Sequence, residues 1–153
     1  RGMALRAAGH GIPVCVVQFL KNDTTVGELA GAGLANIEIV QAGLGFLPKP
    51  GDPRLAEHRA AAVDALRRAG EIIAGGRFGL VILDEVCVAV ARGLVEESQV
   101  AEALVQAQPD ACIVMTGRGA TEGLIALADT VTEMRPVKHA YQAGRPAQKG
   151  VEW

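Results

Sequence analysis

Two adjacent carboxylates, Asp84 and Glu85, close an apolar run in the stretch LVILDEV. The run is typical of a buried strand, and side chains at a strand's exit lie at the edge where an α/β sheet binds its ligands. One carboxylate can hold Mg²⁺ there, directly or through water, while the other orients a reacting group. Such acids can equally do no more than end a strand or cap the following helix. On these residues alone, both interpretations stay open.

A second motif, MTGRGATE, follows another apolar run and contains Thr116, Gly117, Arg118 and Gly119. Glycines let the backbone approach a ligand, a helix start offers free N–H groups, and the arginine guanidinium presents a planar fork to phosphate. Taken alone, the motif fits an ordinary strand-to-helix turn with a solvated arginine slightly better.

Other catalytic groups are sparse. The three histidines lack the paired spacing of a zinc site and are expected on the surface or in turns; they are His10, His58 and His139. No GxSxG motif is present for a serine nucleophile.

The cysteines Cys15, Cys87 and Cys112 each lie in an apolar run, as small core residues do, so thiol catalysis is not expected. They are odd in number and far apart in the chain. This usage favours a reducing, cytoplasmic setting.

The composition indicates one domain over residues 1–153, because half of the residues are hydrophobic and few of these are aromatic. The net charge of −2, with no basic run, disfavours nucleic acid as a partner. No stretch approaches the roughly 18 consecutive apolar residues of a membrane span, so a membrane is not an expected partner either.

Predicted strands and helices alternate along the chain, because short β-branched runs lie between Ala-rich helical stretches. The predicted strands are 14–19, 37–41, 80–83, 112–116 and 130–134, and the predicted helices are 1–8, 54–74, 96–106 and 121–128. Because several strands are apolar at successive positions, the sequence predicts an α/β fold with a mostly parallel sheet and helices on both faces. Residues 42–53 and the tail, 135–153, are predicted to be irregular.

The carboxylate pair has the character of a nucleotide site, yet the sequence contains no GxxxxGK[ST] loop. Several stretches together resemble the P-loop-type corrinoid adenosyltransferases, from the first residues to the last and in the family's order. They are ALRAAGHG, VVQFLK with GEL shortly after it, GLGF, LVILDEV, TGRGA, LADTVTEMRPVKHAY and QKGVEW.

The resemblance implies an enzyme that transfers the 5′-deoxyadenosyl group of ATP to the cobalt of a corrinoid reduced to Co(I), releasing triphosphate. It further implies a P-loop NTPase-like fold, a requirement for Mg²⁺, a homodimer and a reductase that delivers the electron to cobalt. The corrinoid is cobalamin or a precursor. A non-catalytic corrinoid- or nucleotide-binding module, and an ATPase that couples hydrolysis to motion, are the alternatives.

Site residues follow from the resemblance motif by motif. Asp84 and Glu85 would lie at the metal and the phosphates, with Glu85 catalytic, and Thr116 to Gly119 would line the nucleotide site. Phe46 in GLGF would close against the corrin ring and keep the axial ligand away from the cobalt, which makes reduction to Co(I) easier. Without the resemblance, Phe46 is interpreted as a loop residue tucked into the core.

The sequence departs from the family pattern at two places. Leu47 and Pro48 follow Phe46 where the family continues GFTW, so the second aromatic is absent. Family members also place a strand and a GxGKGKTT-like loop directly before the helix that RGMALRAAGHG resembles. We expect the natural protein to carry roughly 25 to 40 further N-terminal residues, the length of a strand, a loop and a helix start.

Overall fold

A computed structural model describes residues 2–22 and 36–148. The motif GEL at 27–29 and the residues 149–153 of the closing motif lie outside this range. Four strands form one parallel sheet in the order β2-β1-β3-β4. They are β1 (Val14–Gln18), β2 (Ile37–Gln41), β3 (Leu80–Asp84) and β4 (Cys112–Met115).

The strands run in step, which aligns their carboxyl ends. Gln18 at the end of β1 pairs in register with Gln41 on one side and Asp84 on the other, and Leu83 pairs with Met115. The last residues of all four strands therefore meet along one edge of the sheet, where a parallel α/β sheet places its ligand site.

Five α-helices surround the sheet within the described residues. They are α1 (Gly2–Gly9), α2 (Leu55–Ala74), α3 (Val86–Ala91), α4 (Glu97–Leu104) and α5 (Glu122–Leu127), and a 3₁₀ helix spans Ala140–Ala143. Buried residues of α2 to α5 form one core with Cys15, Val17, Val81 and Leu83. On the opposite face, Ala4 of α1 packs with Val14, Leu80 and Ile82. These two layers confirm the α/β prediction, and the arrangement is consistent with a P-loop NTPase-like fold.

The long helix α2 follows from its apolar spacing. Its buried residues Ala62, Ala65, Leu66, Ala69 and Ile73 recur every three or four positions, so they form one stripe along the helix. Three of the five are alanines, and side chains of this size let the helix pack close to the sheet.

The predicted fifth strand at 130–134 is wrong. These residues form neither helix nor strand, and Val131 and Met134 are 54% and 91% exposed. In an extended chain, residues three apart point to opposite sides. Burying Val131 and Met134 would therefore need packing partners on both sides of this segment, and both side chains are exposed. Residues 135–142 and 144–148 of the tail are also exposed.

The cysteine prediction holds for Cys15 and Cys87, which are buried, and is wrong for Cys112, which is exposed. Cys112 is the first residue of the edge strand β4, where the sheet gives it a neighbour on one side only. Within the described ranges, no helix combines the length and apolarity needed to cross a membrane.

Candidate functional site

A row of polar side chains crosses the carboxyl edge of the sheet. It consists of Gln41 at the end of β2, Gln18 at the end of β1, Asp84 at the end of β3 and Thr116 directly after β4. Side chains alternate between sheet faces, so these four continue the α1 face beyond its apolar residues. We call Gln41, Gln18, Asp84 and Thr116 the polar row.

Hydrogen bonds join the polar row from one side of the sheet to the other. The Gln41 Nε2 atom donates to Gln18 Oε1 at 2.9 Å, and Gln18 Nε2 donates to Asp84 Oδ2 at 3.4 Å. From the other side, the Thr116 hydroxyl donates to Asp84 Oδ1 at 3.0 Å. Each oxygen of the Asp84 carboxylate thus receives one donor.

Glu85 has an unusual backbone conformation next to this row. Its φ of 67° and ψ of 17° are left-handed, which costs a residue other than glycine about 1 to 2 kcal/mol. Its N–H donates to Thr116 Oγ1 at 3.1 Å, so the hydroxyl that holds Asp84 also fixes the Glu85 backbone. Strained residues of this kind cluster at functional sites.

The carboxylate of Glu85 does not cap the helix that follows. Glu85 occupies the N-cap position of α3, but its side chain makes no capping hydrogen bond. It is half-buried beside Asp84 at the sheet edge. Helix capping, one of the two interpretations open for these acids, is therefore not what the Glu85 side chain does.

The turn from Thr116 to Gly119 packs closely against the start of α3. A Cβ atom at Gly117 would lie 2.9 Å from the backbone nitrogen of Val88, and the φ of Gly117 is 133°, so the turn requires glycine there. The Arg118 side chain is exposed on the same turn. The structure thus brings Thr116 to Asp84 and Glu85 by hydrogen bonds and leaves Arg118 facing solvent.

Phe46 lies on a separate loop at the same edge. The loop is anchored to the segment after β1, because Gly45 N–H donates to the Leu20 carbonyl at 2.7 Å and a Cβ at Gly43 would collide with the Leu20 backbone. Phe46 itself is fully exposed, whereas Pro48 is buried. The interpretation of Phe46 as a residue tucked into the core is wrong.

The two buried thiols are not activated. Burial raises the pKa of Cys15 to about 11, and burial also raises the pKa of Cys87, which lies in the first turn of α3. Raised values leave both thiols protonated at neutral pH, so they are poor nucleophiles. Over the part of the chain that the structure covers, no group of three or more His, Cys, Asp or Glu side chains could hold a metal ion.

Two members of the polar row, Gln18 and Gln41, were not predicted as site residues. The usable signal was a polar residue ending an apolar strand, in VCVVQ and IEIVQ, at the position that Asp84 occupies in LVILD. Because amides are uncharged and common, their residue type alone does not predict a functional site.

Comparison with known proteins identifies the family of the chain. The family model "ATP:corrinoid adenosyltransferase BtuR/CobO/CobP" matches residues 1–153. A corrinoid adenosyltransferase from Pseudomonas aeruginosa is 43% identical over 155 residues, which cover 99% of this chain and 75% of that protein. Corrinoid adenosyltransferases from Sinorhizobium sp and Salmonella typhimurium are 36% and 35% identical, over 99% of this chain and 72% and 76% of their own lengths. The chain therefore belongs to the ATP:corrinoid adenosyltransferases, a family of enzymes.

Proposed function

We propose that this protein transfers the 5′-deoxyadenosyl group of ATP to the Co(I) centre of a corrinoid, in the biosynthesis or salvage of adenosylcobalamin. The observation that carries the proposal is the Asp84 carboxylate, held from both sides at the sheet edge, with Glu85 directly beside it. Family membership supports the reaction class. ATP and the corrinoid are the substrates.

The bond changes balance without a further reactant. The electron pair of Co(I) forms the bond from cobalt to the C5′ carbon of ATP, and the bond from C5′ to its oxygen breaks. The pair of the broken bond leaves with triphosphate, and cobalt becomes formally Co(III). The protein has to hold the two substrates in line and stabilise the leaving triphosphate.

The donor set at the carboxyl edge fits Mg²⁺. Magnesium prefers oxygen ligands and is commonly held by one or two carboxylates together with substrate phosphates, and Asp84 and Glu85 supply two adjacent carboxylates. When bound, the ion neutralises charge on the leaving triphosphate. Asp84 and Glu85 would hold the ion and Thr116 would orient Asp84.

The turn beside the carboxylates would bind the nucleotide. Arg118 is exposed there and can direct its guanidinium fork at a phosphate oxygen, while Gly117 and Gly119 keep the backbone free of side chains. On the neighbouring loop, the exposed ring of Phe46 offers the apolar surface that a corrin face requires.

Three further properties are proposed from the family resemblance: a homodimer, a reductase as the electron source for cobalt, and a cytoplasmic location. The buried free thiols of Cys15 and Cys87 are compatible with a reducing compartment. Sedimentation equilibrium of the purified protein tests the dimer directly, because a monomer mass at every concentration would contradict it.

The site assignment is tested by replacing Glu85 with Gln, which keeps the shape and removes the charge. We expect kcat for adenosylation of chemically reduced cobalamin to fall about a hundredfold, because a charged group that helps hold the metal is lost. The unfolding midpoint in urea should stay close to the wild-type value, since the Glu85 side chain does not cap α3.

The matched control is Glu102→Gln, which removes an exposed carboxylate on α4. This variant should retain wild-type turnover. Wild-type activity in Glu85→Gln would remove Glu85 from the mechanism.

A further inference from the structure

Gln18 belongs to the polar row, but the proposed function gives its buried amide no task. We propose that Gln18 is a positioning residue that sets the orientation of the Asp84 carboxylate for Mg²⁺. The inference rests on the proposed function, because it assigns to Gln18 a task at the same metal and nucleotide site.

Burial makes the side chain of Gln18 costly unless it is used. Only 2% of Gln18 is exposed, and it is the one buried polar or charged residue in the described core. An amide left unpaired in such a place is strongly unfavourable, because burial removes its hydrogen bonds to water. An aliphatic side chain at this position would pack against the core without a polar group to satisfy, so packing does not explain why residue 18 is a glutamine.

Hydrogen bonding fixes which end of the amide faces Asp84. Gln41 donates to the Gln18 oxygen at 2.9 Å, so the Gln18 NH₂ group points the other way, at Asp84 Oδ2 3.4 Å away. Register places the three residues side by side on adjacent strands, so strand pairing itself maintains this direction.

The Asp84 carboxylate is thereby held without being saturated. Gln18 donates to one of its oxygens and Thr116 donates to the other. An ionised carboxylate has about four acceptor positions, so two remain for a cation. The two donors together fix the plane of the carboxylate and so the direction in which the remaining lone pairs point.

Groups that orient a metal ligand typically change metal affinity or activity by about 10- to 100-fold when they are removed. The replacement Gln18→Met keeps an unbranched side chain of similar length and removes both hydrogen bonds. A purely structural Gln18 would affect ATP binding alike with and without the metal. A positioning Gln18 would affect only the part of ATP binding that the metal supplies.

The test measures ATP binding to the full-length protein by isothermal titration, once with Mg²⁺ and once with EDTA. The quantity of interest is the dissociation constant in EDTA divided by the dissociation constant in Mg²⁺. For Gln18→Met we expect this ratio to fall about tenfold, with the metal-free dissociation constant unchanged. The control Gln106→Met alters an exposed amide after α4 and should keep the wild-type ratio.

A second variant keeps the test decisive if Gln18→Met does not fold. Gln41→Met removes the donor that fixes the direction of the Gln18 amide and should lower the same ratio, by less than Gln18→Met does, because Gln41 does not touch Asp84. A wild-type ratio in the folded variants, or equal loss of affinity with and without Mg²⁺, would overturn the role of Gln18. Failure of the wild-type protein to form adenosylated corrinoid would instead overturn the proposed function.

Discussion

At the scale of single residues, the proposed chemistry depends on a few side chains at the carboxyl edge of the sheet. Asp84 and Glu85 were candidates in the sequence because they directly follow an apolar run, and the family motif then favoured a functional role over a structural one. The sequence could not reveal that Thr116 reaches Asp84, since 32 positions separate them and only the pairing of β3 with β4 brings them together. Gln18 was not predicted as a site residue because its proposed role depends on its burial, which its residue type does not indicate.

Phe46 gives a prediction at this scale. Because its ring is fully exposed, Phe46→Ala should leave the free energy of unfolding unchanged while weakening the corrinoid site. We expect the KM for the corrinoid to rise roughly tenfold, the equivalent of one lost aromatic contact, with the KM for ATP unaltered. Steady-state kinetics with reduced cobalamin measure both constants.

Leu44→Ala provides the comparison, because Leu44 is a partly exposed apolar residue of the same loop. Its effect on the corrinoid KM should be small. Equal KM values for Phe46→Ala and the wild-type protein would mean that the ring does not contact the corrinoid.

At the scale of elements, hydrophobic periodicity predicted the four strands of the sheet and four of the helices to within two residues at every end. The short helix α3 was missed because VCVAVA has the β-branched composition of a strand. It is helical because the turn at Glu85 directs the chain back over the sheet, where Val86 and Ala89 are buried. The prediction for 130–134 is wrong in the opposite way, because residues with the composition of a strand do not pair with the sheet.

Cys15, on the central strand β1, makes the free energy of unfolding depend on pH in the alkaline range. Burial, with a smaller contribution from Glu38, raises the Cys15 pKa from 9.0 to about 11. A raised folded-state pKa means that this contribution to stability is complete below pH 9. It is lost as the pH rises from 9 towards 11, because the unfolded chain ionises first.

We expect the free energy of unfolding to gain an extra downward slope of about 1.4 kcal/mol per pH unit in that window. Urea unfolding at pH 8, 9 and 10 measures the slope. Cys15→Ala should remove this component, whereas Cys112→Ala, at the exposed end of the edge strand, should retain it. Identical slopes in all three proteins would contradict the burial argument.

At the scale of the whole molecule, the parallel sheet brings residues from distant parts of the sequence together at one candidate site. Residues from β1, β2, β3 and the turn after β4 meet because all four strands point the same way and run in register. Fold class and family were predictable from the sequence, since apolar runs and motifs in a fixed order carry that information. The hydrogen-bond direction along the polar row was not, because it depends on pairing between strands far apart in the chain.

Adenosyl transfer and ATP hydrolysis differ in one observable at this scale. Transfer to cobalt breaks the bond at C5′ and leaves triphosphate intact, while a hydrolytic ATPase releases phosphate without any corrinoid. The two reactions would use the same carboxylates and the same magnesium, so residues alone do not separate them.

The most direct measurement is the stoichiometry of products when the full-length protein is given ATP, Mg²⁺ and chemically reduced Co(I) cobalamin. The proposed function predicts one inorganic triphosphate for each adenosylcobalamin formed, and no phosphate release when cobalamin is left out. Phosphate release without cobalamin, or consumption of ATP with no adenosylcobalamin in the absorbance spectrum, would contradict it.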